Sequence, residues 1–312
     1  MRRVGFAIVL LTLVGLIALG RSFAPSAIDV PPLAIESLPP ASPPAAMSLS
    51  MLPTGSMQST AALAYRGGKF GDRREFVMPV ILVRHPRGNL LFDAGFGHNV
   101  DEHVKTLPAL MQLSTTYTKG TAAGEQLKAK GFKLADLAGV VLTHSHWDHV
   151  SGLDSLPGVP VWVNAAEQAF IAAQSSKVAI IASLGELKYK VYEFDGGPYL
   201  GFPQSHDVWG DGSIVLVPAP GHTPGSTIAF ITLPSGKRYA LLGDLVWQSE
   251  GINLPAERPW LLRRIINEDD ALVRENIVRV AAIHRRFPEI AMLPSHDARA
   301  AAPLPVFPAE ER

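Results

Sequence analysis

The sequence predicts a mixed α/β fold of the α+β type, in which two β-sheets are covered by helices. Its apolar strand segments come in runs: residues 76–83 and 89–92 form one pair, and three more segments follow one another between residues 214 and 242. Helical segments lie between these runs, and the clearest one starts after Asn267. Such runs are typical of packed sheets rather than of a strictly alternating doubly wound sheet.

The first 27 residues are predicted to be a signal peptide or an N-terminal membrane anchor. Arg2 and Arg3 precede an apolar run from Val4 to Gly20, and small residues follow Arg21. The length of this run lies between that of a signal-peptide core and that of a membrane span. We therefore expect an exported protein, periplasmic or otherwise extracytoplasmic, or one that contacts a membrane through this segment if it is not cleaved.

Residues 28–55 are predicted to be a linker, and residues 56–312 to be one folded domain. Six prolines lie between Pro31 and Pro44, with alanine and serine among them. A stretch of this composition is typical of an extended, semi-rigid spacer. The region that follows is long enough to bury the core of one large domain.

Charge and cysteine content restrict the partners and the chemistry. Lysine plus arginine number 28, equal to aspartate plus glutamate, so the formal net charge is zero. A nucleic-acid partner is therefore not expected, since it would require a broad positive surface, and we expect a small-molecule substrate. The chain has no cysteine, which excludes disulfides, a thiol nucleophile and thiolate metal ligands.

The remaining elements are predicted from local patterns along the chain. Residues 76–83 and 89–92 form a hairpin across a Pro–Gly turn. Asn164 and Glu167 have the spacing of a capping box that opens a helix through about residue 174. Asn267 caps a helix to about Phe287, whose apolar residues recur at helical spacing. Strands are predicted at residues 139–143, 214–217, 227–233, 238–242 and 290–293.

The segment 143–149, with the sequence THSHWDH, is the strongest chemical signal. It directly follows the strand at 139–143 and carries His144, His146, Asp148 and His149. His144 and His146 are two residues apart, so both imidazoles project to one side of extended backbone. Three imidazoles and one carboxylate within six residues suit the binding of divalent cations by nitrogen and oxygen ligands.

Further ligands are predicted at the ends of three other strands. His222 lies in a Pro/Gly-rich loop after strand 214–217, Asp244 follows strand 238–242, and His296 follows strand 290–293. Strand ends commonly assemble binding sites. We therefore expect these three residues to converge with segment 143–149.

The four motifs HSHWDH, GHTPGS, LLGD and PSHD, in that order, resemble the signature of the metallo-β-lactamase superfamily. The resemblance covers about residues 70–300, and the chain is most similar to the dinuclear lactonases that include the N-acyl homoserine lactonases. It implies a four-layer αββα sandwich with the site at one edge of the paired sheets. It also implies how the ligands divide: a first metal on His144, His146 and His222, a second on Asp148, His149 and His296, and Asp244 bridging the two. Asp93, in the segment LFDAG, matches a family residue that supports the ligand loops without binding metal.

Two departures from the pattern bear on the substrate. Three residues after Asp244, where the acyl homoserine lactonases carry a tyrosine, this chain has Trp247. An indole N–H donates a hydrogen bond but does not transfer a proton as a phenol does, and Trp247 is interpreted as a pocket residue. Asp244 itself argues against β-lactam cleavage, because β-lactamases lack a bridging carboxylate.

The sequence thus predicts a dinuclear zinc-dependent hydrolase, in which a metal-bridging hydroxide attacks the carbonyl of a lactone or carboxylic ester. Asp148 and Asp244 are the expected catalytic carboxylates, with Asp244 carrying a proton. Zinc is the preferred metal, and iron, manganese or cobalt also suit the ligand set. The alternatives are hydrolysis of a thioester, β-lactam or phosphoester, a mononuclear iron persulfide dioxygenase-like enzyme, and a non-catalytic binding protein.

Two further groups of residues receive structural interpretations. Histidines 85, 98, 103, 206 and 284 are expected to be structural or solvated, since the predicted coordination spheres are already complete. Apolar residues at 107–113, with Leu254, Pro255, Trp260 and Leu261, suit either an acyl-chain pocket or core packing.

Overall fold

The computed structural model describes residues 13–15, 17–107, 112 and 116–312 of the 312-residue chain. Part of the predicted leader, residues 1–12 and 16, lies outside this range, as do residues 108–111 and 113–115. Two sheets form the centre of the fold, in agreement with the predicted class.

The first sheet has seven strands in the order β4-β1-β2-β3-β5-β6-β7. The strands are β1 (Ser48–Thr60), β2 (Arg73–Arg84), β3 (Asn89–Phe92), β4 (Tyr117–Lys119), β5 (Leu137–Val141), β6 (Val161–Asn164) and β7 (Tyr189–Tyr192). Strands β2 and β3 form the predicted antiparallel hairpin, whereas β3, β5, β6 and β7 run parallel. Parallel neighbours bring the carboxyl ends of β3 and β5 to the same edge of the sheet.

The second sheet has five strands in the order β12-β11-β10-β9-β8. The strands are β8 (His206–Asp207), β9 (Ile214–Pro218), β10 (Thr227–Thr232), β11 (Arg238–Leu241) and β12 (Ile290–Leu293). Strands β9, β10 and β11 pair antiparallel in succession, and β12 runs parallel to β11. The carboxyl ends of β11 and β12 therefore lie side by side.

Ten helices with assigned bounds surround the sheets in the described part of the chain. They are α1 (Ala61–Ala64), α2 (Val100–Lys105), α3 (Ala123–Ala129), α4 (Trp147–Val150), α5 (Ala165–Ala172), α6 (Ala179–Ser183), α7 (Glu250–Asn253), α8 (Trp260–Ile266), α9 (Asp270–Arg286) and α10 (Ala298–Ala301). The predicted helix after Asn267 is α9, but its N-cap is Asp269, whose side chain accepts hydrogen bonds from the N–H groups of Ala271 and Leu272. The expected capping role of Asn267 was wrong.

Three apolar clusters separate four layers. Residues from both sheets, such as Ile81, Phe92 and Leu216, pack together between the sheets. The other face of the first sheet, which includes Leu82, packs against helices α3, α5 and α6. The outer face of the second sheet packs against α9, for example at Ile277. Neighbours such as Ile81 and Leu82 belong to opposite faces because side chains alternate along a strand, and the resulting order of layers is αββα.

The predicted linker differs from the structure. Strand β1 begins at Ser48 and pairs with β2 along its length, so the predicted boundary at residues 55 and 56 falls inside a strand. The proline-rich segment also packs on the second sheet's helical face, where Val30 is buried and Leu33 and Ile35 are partly buried. Arginines 285 and 286 of α9 donate hydrogen bonds to backbone carbonyls of residues 30, 35 and 36. The apolar residues between the prolines allow this extended segment to bury one of its sides against the domain. The proline-rich composition alone did not indicate this packing.

The N-terminal segment remains a predicted leader. Within the residues that the structure describes, no helix combines the length and the apolar character that crossing a bilayer requires.

Candidate metal centre

The predicted ligands lie in four segments, each of which follows the carboxyl end of a strand, and Asp148 and His149 belong to helix α4. Segment 143–149 follows β5, His222 follows β9, Asp244 follows β11, and His296 follows β12. Backbone hydrogen bonds join these segments: Thr227 N–H donates to the Thr143 carbonyl over 2.8 Å, and Ser295 N–H donates to the Gly243 carbonyl over 3.2 Å. The segments therefore meet at one edge of the sandwich, where the two sheets face each other.

Three histidines form the first cluster: His144, His146 and His222. Their ring centroids lie 4.5 to 4.8 Å apart. His146 Nδ1 and His222 Nε2 face each other over 2.9 Å. Each ring offers one nitrogen, and the three nitrogens lie within 4.8 Å of one another. Three such donors fit the three-histidine arrangement of a zinc site.

Asp148, His149 and His296 form the second cluster, and Asp244 lies between the two clusters. Asp244 Oδ1 is 2.9 Å from His296 Nε2 and 3.2 Å from His149 Nε2. The other oxygen, Asp244 Oδ2, is 3.5 Å from His222 Nε2. One carboxylate therefore faces both groups of imidazoles, as a bridging ligand requires.

The buried polar atoms of the site fit a pair of cations. His144 Nε2, His149 Nε2 and Asp244 Oδ1 are buried and make no hydrogen bond among the described residues, and the same is true of His146 Nε2. Leaving a buried polar atom without a partner costs about 1–3 kcal/mol. Cations placed between these atoms would satisfy them, and a nitrogen and oxygen donor set suits zinc, iron, manganese or cobalt.

The first cluster favours neutral imidazoles. Burial is the main cause that lowers the pKa of His144 well below its ordinary value, and the nearby His149 and His222 rings lower it further. Burial also lowers the pKa of His146 and of His222. Neutral imidazole is the form that binds a metal, so the cluster is ready to coordinate without losing protons.

The second cluster is charged. Burial opposes ionisation of Asp244, but the positive charges of His296 and His149 outweigh it and hold the pKa of Asp244 well below its usual range. Burial likewise opposes protonation of His149, but Asp93 and Asp244 outweigh it and raise the pKa of His149 well above its ordinary value. A cation bound here would displace protons from the imidazoles.

Asp93 lies where a supporting residue was predicted. It directly follows β3 with a backbone φ of +58°, a conformation that aspartate tolerates better than most residues. Asp93 Oδ1 accepts a hydrogen bond from the Thr143 backbone N–H, and Oδ2 accepts from Thr143 Oγ1 and lies 2.8 Å from His149 Nδ1. Asp93 thereby fixes the start of the ligand loop and directs His149 Nε2 into the site.

Glu167 is a supporting residue that the sequence did not reveal. Its side chain was expected to cap helix α5, but it is 1% exposed and joins two ligand loops. Oε1 accepts from the backbone N–H and hydroxyl of Ser145, which lies between His144 and His146. Oε2 accepts from Thr223 Oγ1 and from the Gly225 N–H, next to His222.

Glycine is required at position 225 for this contact. A Cβ there would lie 2.3 Å from the backbone nitrogen of Glu167, so no other residue allows the two segments to approach as closely. In the sequence, the Asn–x–x–Glu pattern at the start of α5 indicates only a helix cap. The second role of Glu167 depends on partners 22 to 58 residues away, which a local pattern does not reveal.

His222 is oriented by Asn267 and Arg258. Asn267 Oδ1 is 3.1 Å from His222 Nδ1 and also accepts from Arg258 Nη2 over 3.1 Å. An amide oxygen is only an acceptor, so His222 carries its proton on Nδ1 and presents the Nε2 lone pair to the cluster. The side chain of Asn267 is thus used in the site rather than as a helix cap.

Trp247 contacts the carboxylate of Asp244. Its Nε1–H donates to Asp244 Oδ2 over 2.7 Å, and the Arg258 guanidinium lies 4.7 Å from its ring centroid. Its ring also packs edge-on against Phe76, which stacks on His296. Trp247 therefore combines a polar contact to Asp244 with an apolar wall beside the second cluster.

Replacing Trp247 with phenylalanine tests the polar contact. The Trp247→Phe variant keeps an aromatic wall but removes a hydrogen bond to a charged group, so we expect hydrolytic kcat/KM to fall roughly tenfold. The matched control is Trp209→Phe, because Trp209 Nε1 is buried without a hydrogen-bond partner among the described residues. Steady-state kinetics of both variants check the expectation, and equal activities would contradict it.

The other residues singled out from the sequence lie elsewhere. The remaining histidines belong to none of the described metal-ligand clusters, and four of them pair with Asp211 (His85), Glu125 (His98), Ser151 (His103) and Asp195 (His206).

The apolar residues that the sequence analysis assigned to a pocket or to the core differ in exposure. Leu107 and Pro255 are buried, whereas Leu254, Trp260 and Leu261 are exposed. Residues 108–111 and 113 lie outside the described range. The three exposed residues are therefore not core packing.

Comparison with known proteins identifies a family. The model of the metallo-beta-lactamase superfamily matches residues 75–305. A probable metallo-hydrolase from Mycobacterium tuberculosis is 29% identical over 238 residues, which cover 70% of this chain and 74% of the relative. The N-acyl homoserine lactonase AttM from Agrobacterium fabrum is 26% identical over 203 residues, which cover 64% of this chain and 76% of the relative.

Solved structures share the fold. An N-acyl homoserine lactone hydrolase, solved with N-hexanoyl-L-homoserine at its catalytic metal centre, superposes with a TM-score of 0.66 and 19% identity, covering 85% of this chain and 98% of that chain. The dizinc quorum-quenching lactonase AidC superposes with a TM-score of 0.54 and 16% identity, covering 91% of this chain and 92% of that chain. At these identities the likeness extends to the fold alone.

Proposed function

We propose that this chain, which belongs to the metallo-β-lactamase superfamily, hydrolyses lactones or carboxylic esters. It would do so with a pair of divalent cations, preferably zinc. The chain is a metal-dependent hydrolase with lactonase-like neighbours and clusters of His and Asp side chains suited to metal.

One observation carries the proposal of two metals. A third group of ligand atoms, from His144, His149 and Asp244, overlaps both clusters. It shares His144 with the first cluster and His149 with the second. A mononuclear site would use only one of these groups. An iron persulfide dioxygenase-like enzyme is therefore not favoured, because His149 and His296 complete a second group beside Asp148.

The residues divide between two cations as follows. His144, His146 and His222 would hold the first, Asp148, His149 and His296 the second, and Asp244 would bridge them. Two such cations, when bound, polarise a carbonyl oxygen and provide a hydroxide nucleophile near neutral pH.

The side chains around the cations have their own tasks. Asp93, Glu167 and Asn267 hold the ligands in one geometry through the hydrogen bonds described above, so that little reorganisation is needed during the reaction. Phe76 and Trp247 supply an apolar wall that excludes water beside the second cluster. Phe170 lies 6.5 Å from the His146 ring and extends the apolar lining on the other side.

Proton transfer falls to the carboxylates. Indole is not an acid in water, so Trp247 does not protonate the leaving alkoxide. We assign this transfer to Asp244, the carboxylate that faces both groups of imidazoles. Asp148, the other carboxylate of the site, would serve as a ligand to the second cation. An alkoxide is a poor leaving group that needs this proton, so lactones and carboxylic esters suit the arrangement.

The experiment is a hydrolysis panel on metal-loaded protein. The panel contains lactones with short and long acyl groups, carboxylic esters, thioesters, β-lactams and phosphoesters, each tested with zinc, iron, manganese and cobalt. We expect the best lactone or ester to exceed the other classes at least about tenfold in kcat/KM.

The His146→Ala variant is the blank of this panel, because it removes one ligand of the first cation. It separates turnover by the metal centre from background hydrolysis. Turnover of thioesters or phosphoesters alone, or activity retained by the blank, would refute the proposed function.

A further inference from the structure

Helix α8 is an apolar helix without a buried residue. Its sequence, WLLRRII, is apolar at five of seven positions, yet none of its side chains belongs to the buried core. Trp260, Leu261 and Ile265 are 39%, 43% and 41% exposed. Single exposed apolar residues are ordinary on protein surfaces, but a helix that exposes several large ones marks an interaction site.

The N-terminal segment continues this surface. Ser22 Oγ accepts a hydrogen bond from the Trp260 backbone N–H over 2.8 Å, and the Phe23 ring lies 5.0 Å from that of Phe70. Ile28 N–H donates to the Pro255 carbonyl, next to Leu254. We call the combined surface the α8 patch. It consists of exposed side chains from the N-terminal segment, α8 and two adjoining loops: Leu13, Val14, Ile17, Phe70, Leu254, Trp260, Leu261 and Ile265.

Basic residues border the α8 patch. Arg264 is exposed within α8 itself, and Arg21 and Lys69 are exposed beside Ser22 and Phe70. Tryptophan and basic residues next to aliphatic side chains are characteristic of helices that lie in the interface of an anionic membrane. Cationic residues near such a surface each add attraction to anionic headgroups.

We propose that the α8 patch binds the interfacial layer of an anionic lipid bilayer, with α8 lying in the plane of the membrane. The sequence supports this occupant over a second copy of the chain, because Leu13, Val14 and Ile17 belong to the apolar run from Val4 to Gly20. The chain passes from that run to the folded domain at the α8 patch, where Ser22 contacts Trp260. A membrane into which the run inserts would therefore lie against the patch.

The α8 patch is close to the metal centre in the chain. Helix α8 lies between Arg258, which donates to the backbone carbonyl of Asp244, and Asn267, whose Oδ1 contacts His222 Nδ1. This proposal does not depend on the proposed hydrolysis, and its test does not measure activity.

A single-cysteine label tests the proposal directly. The chain has no cysteine, so Leu261→Cys labelled with an environment-sensitive NBD fluorophore reports from one position only. Val191→Cys is the matched control, because Val191 is 42% exposed and lies on strand β7, outside the patch. Full-length protein is mixed with vesicles of phosphatidylcholine and phosphatidylglycerol, some of which carry a lipid-linked quencher.

We expect the label at position 261 to shift its emission to shorter wavelength and to be quenched by the lipid, while the label at 191 stays solvent-like. If vesicle-bound protein gives a solvent-like label at 261, the chain binds through its leader alone and the proposal is overturned.

Vesicle partitioning of serine variants gives a second measurement. We expect Leu261→Ser combined with Ile265→Ser to weaken partitioning roughly tenfold, because part of the apolar area that enters the membrane is lost. The control is Val191→Ser combined with Val306→Ser, which removes two exposed apolar side chains elsewhere. Unchanged partitioning together with an altered molecular mass in solution would show that the α8 patch binds a second copy, and would overturn the proposal.

Discussion

Asp244→Asn is expected to reduce the metal content from about two per chain to one or fewer, and to lower hydrolytic kcat/KM about a thousandfold. Asparagine keeps the shape of the side chain and one acceptor oxygen, but it removes the charge that faces both imidazole clusters. The loss falls on the second cation most strongly, because Asp244 Oδ1 lies nearest to His296 and His149. Elemental analysis and steady-state kinetics measure the two effects.

The control for this variant is Asp195→Asn. Asp195 is a largely exposed carboxylate that also pairs with a histidine, His206, over 2.9 Å. We expect it to keep full metal content and activity. If Asp244→Asn also kept both metals and its activity, a bridging role for Asp244 would be untenable.

Glu167→Gln is expected to weaken metal binding by about ten- to a hundredfold, although Glu167 touches no metal. The amide NH₂ group cannot accept the two hydrogen bonds that one carboxylate oxygen accepts now, so either the Ser145 side or the Thr223 side of the clamp is lost. The freed loop then no longer holds its histidine in the geometry of the first cluster. We also expect the free energy of unfolding to fall by about 1–3 kcal/mol, because buried donors lose their partner.

Two readouts separate positioning from general destabilisation. The metal dissociation constant is measured at a temperature at which both proteins are folded, and the unfolding free energy is measured by denaturant titration. Glu275→Gln, which breaks an exposed helix pair with Arg279, is the matched control and should change neither. A variant at position 167 that is destabilised but binds metal with unchanged affinity would show that Glu167 has a structural role only.

The ligand loops could be predicted because their signal is local. His144, His146, Asp148 and His149 lie within six residues directly after an apolar strand, and the strand predicts where the loop begins. The structure brings these residues together with His222, Asp244 and His296 at one edge of the sandwich. The strand runs likewise predicted two packed sheets, because an apolar run bounded by Pro and Gly is visible within a short segment.

The parts that were missed depend on distant partners. Strand β1 escaped prediction because Pro53, Thr54, Gly55 and Ser56 interrupt its apolar pattern, and the register with β2 shifts at this point. The neighbouring strands supply the hydrogen bonds and the burial that the local sequence does not indicate. Strand β6 was also not predicted, although β3 and β12, which have the same length of four residues, were.

Two of the supporting residues were missed for the same reason, whereas Asp93 was predicted. Glu167 and Asn267 have the local appearance of helix-capping residues, and both direct their side chains to histidine-bearing loops instead. A local pattern does not distinguish a side chain that caps its own helix from one that hydrogen-bonds to distant loops. The difference depends on which segments the fold places beside that side chain.

Anomalous X-ray scattering at the zinc edge, from crystals of the full chain grown with zinc, tests the central claim most directly. The account predicts two peaks about 3.5–4 Å apart, one among His144, His146 and His222 and the other beside Asp148, His149 and His296. A single peak, or peaks away from Asp244, would contradict it.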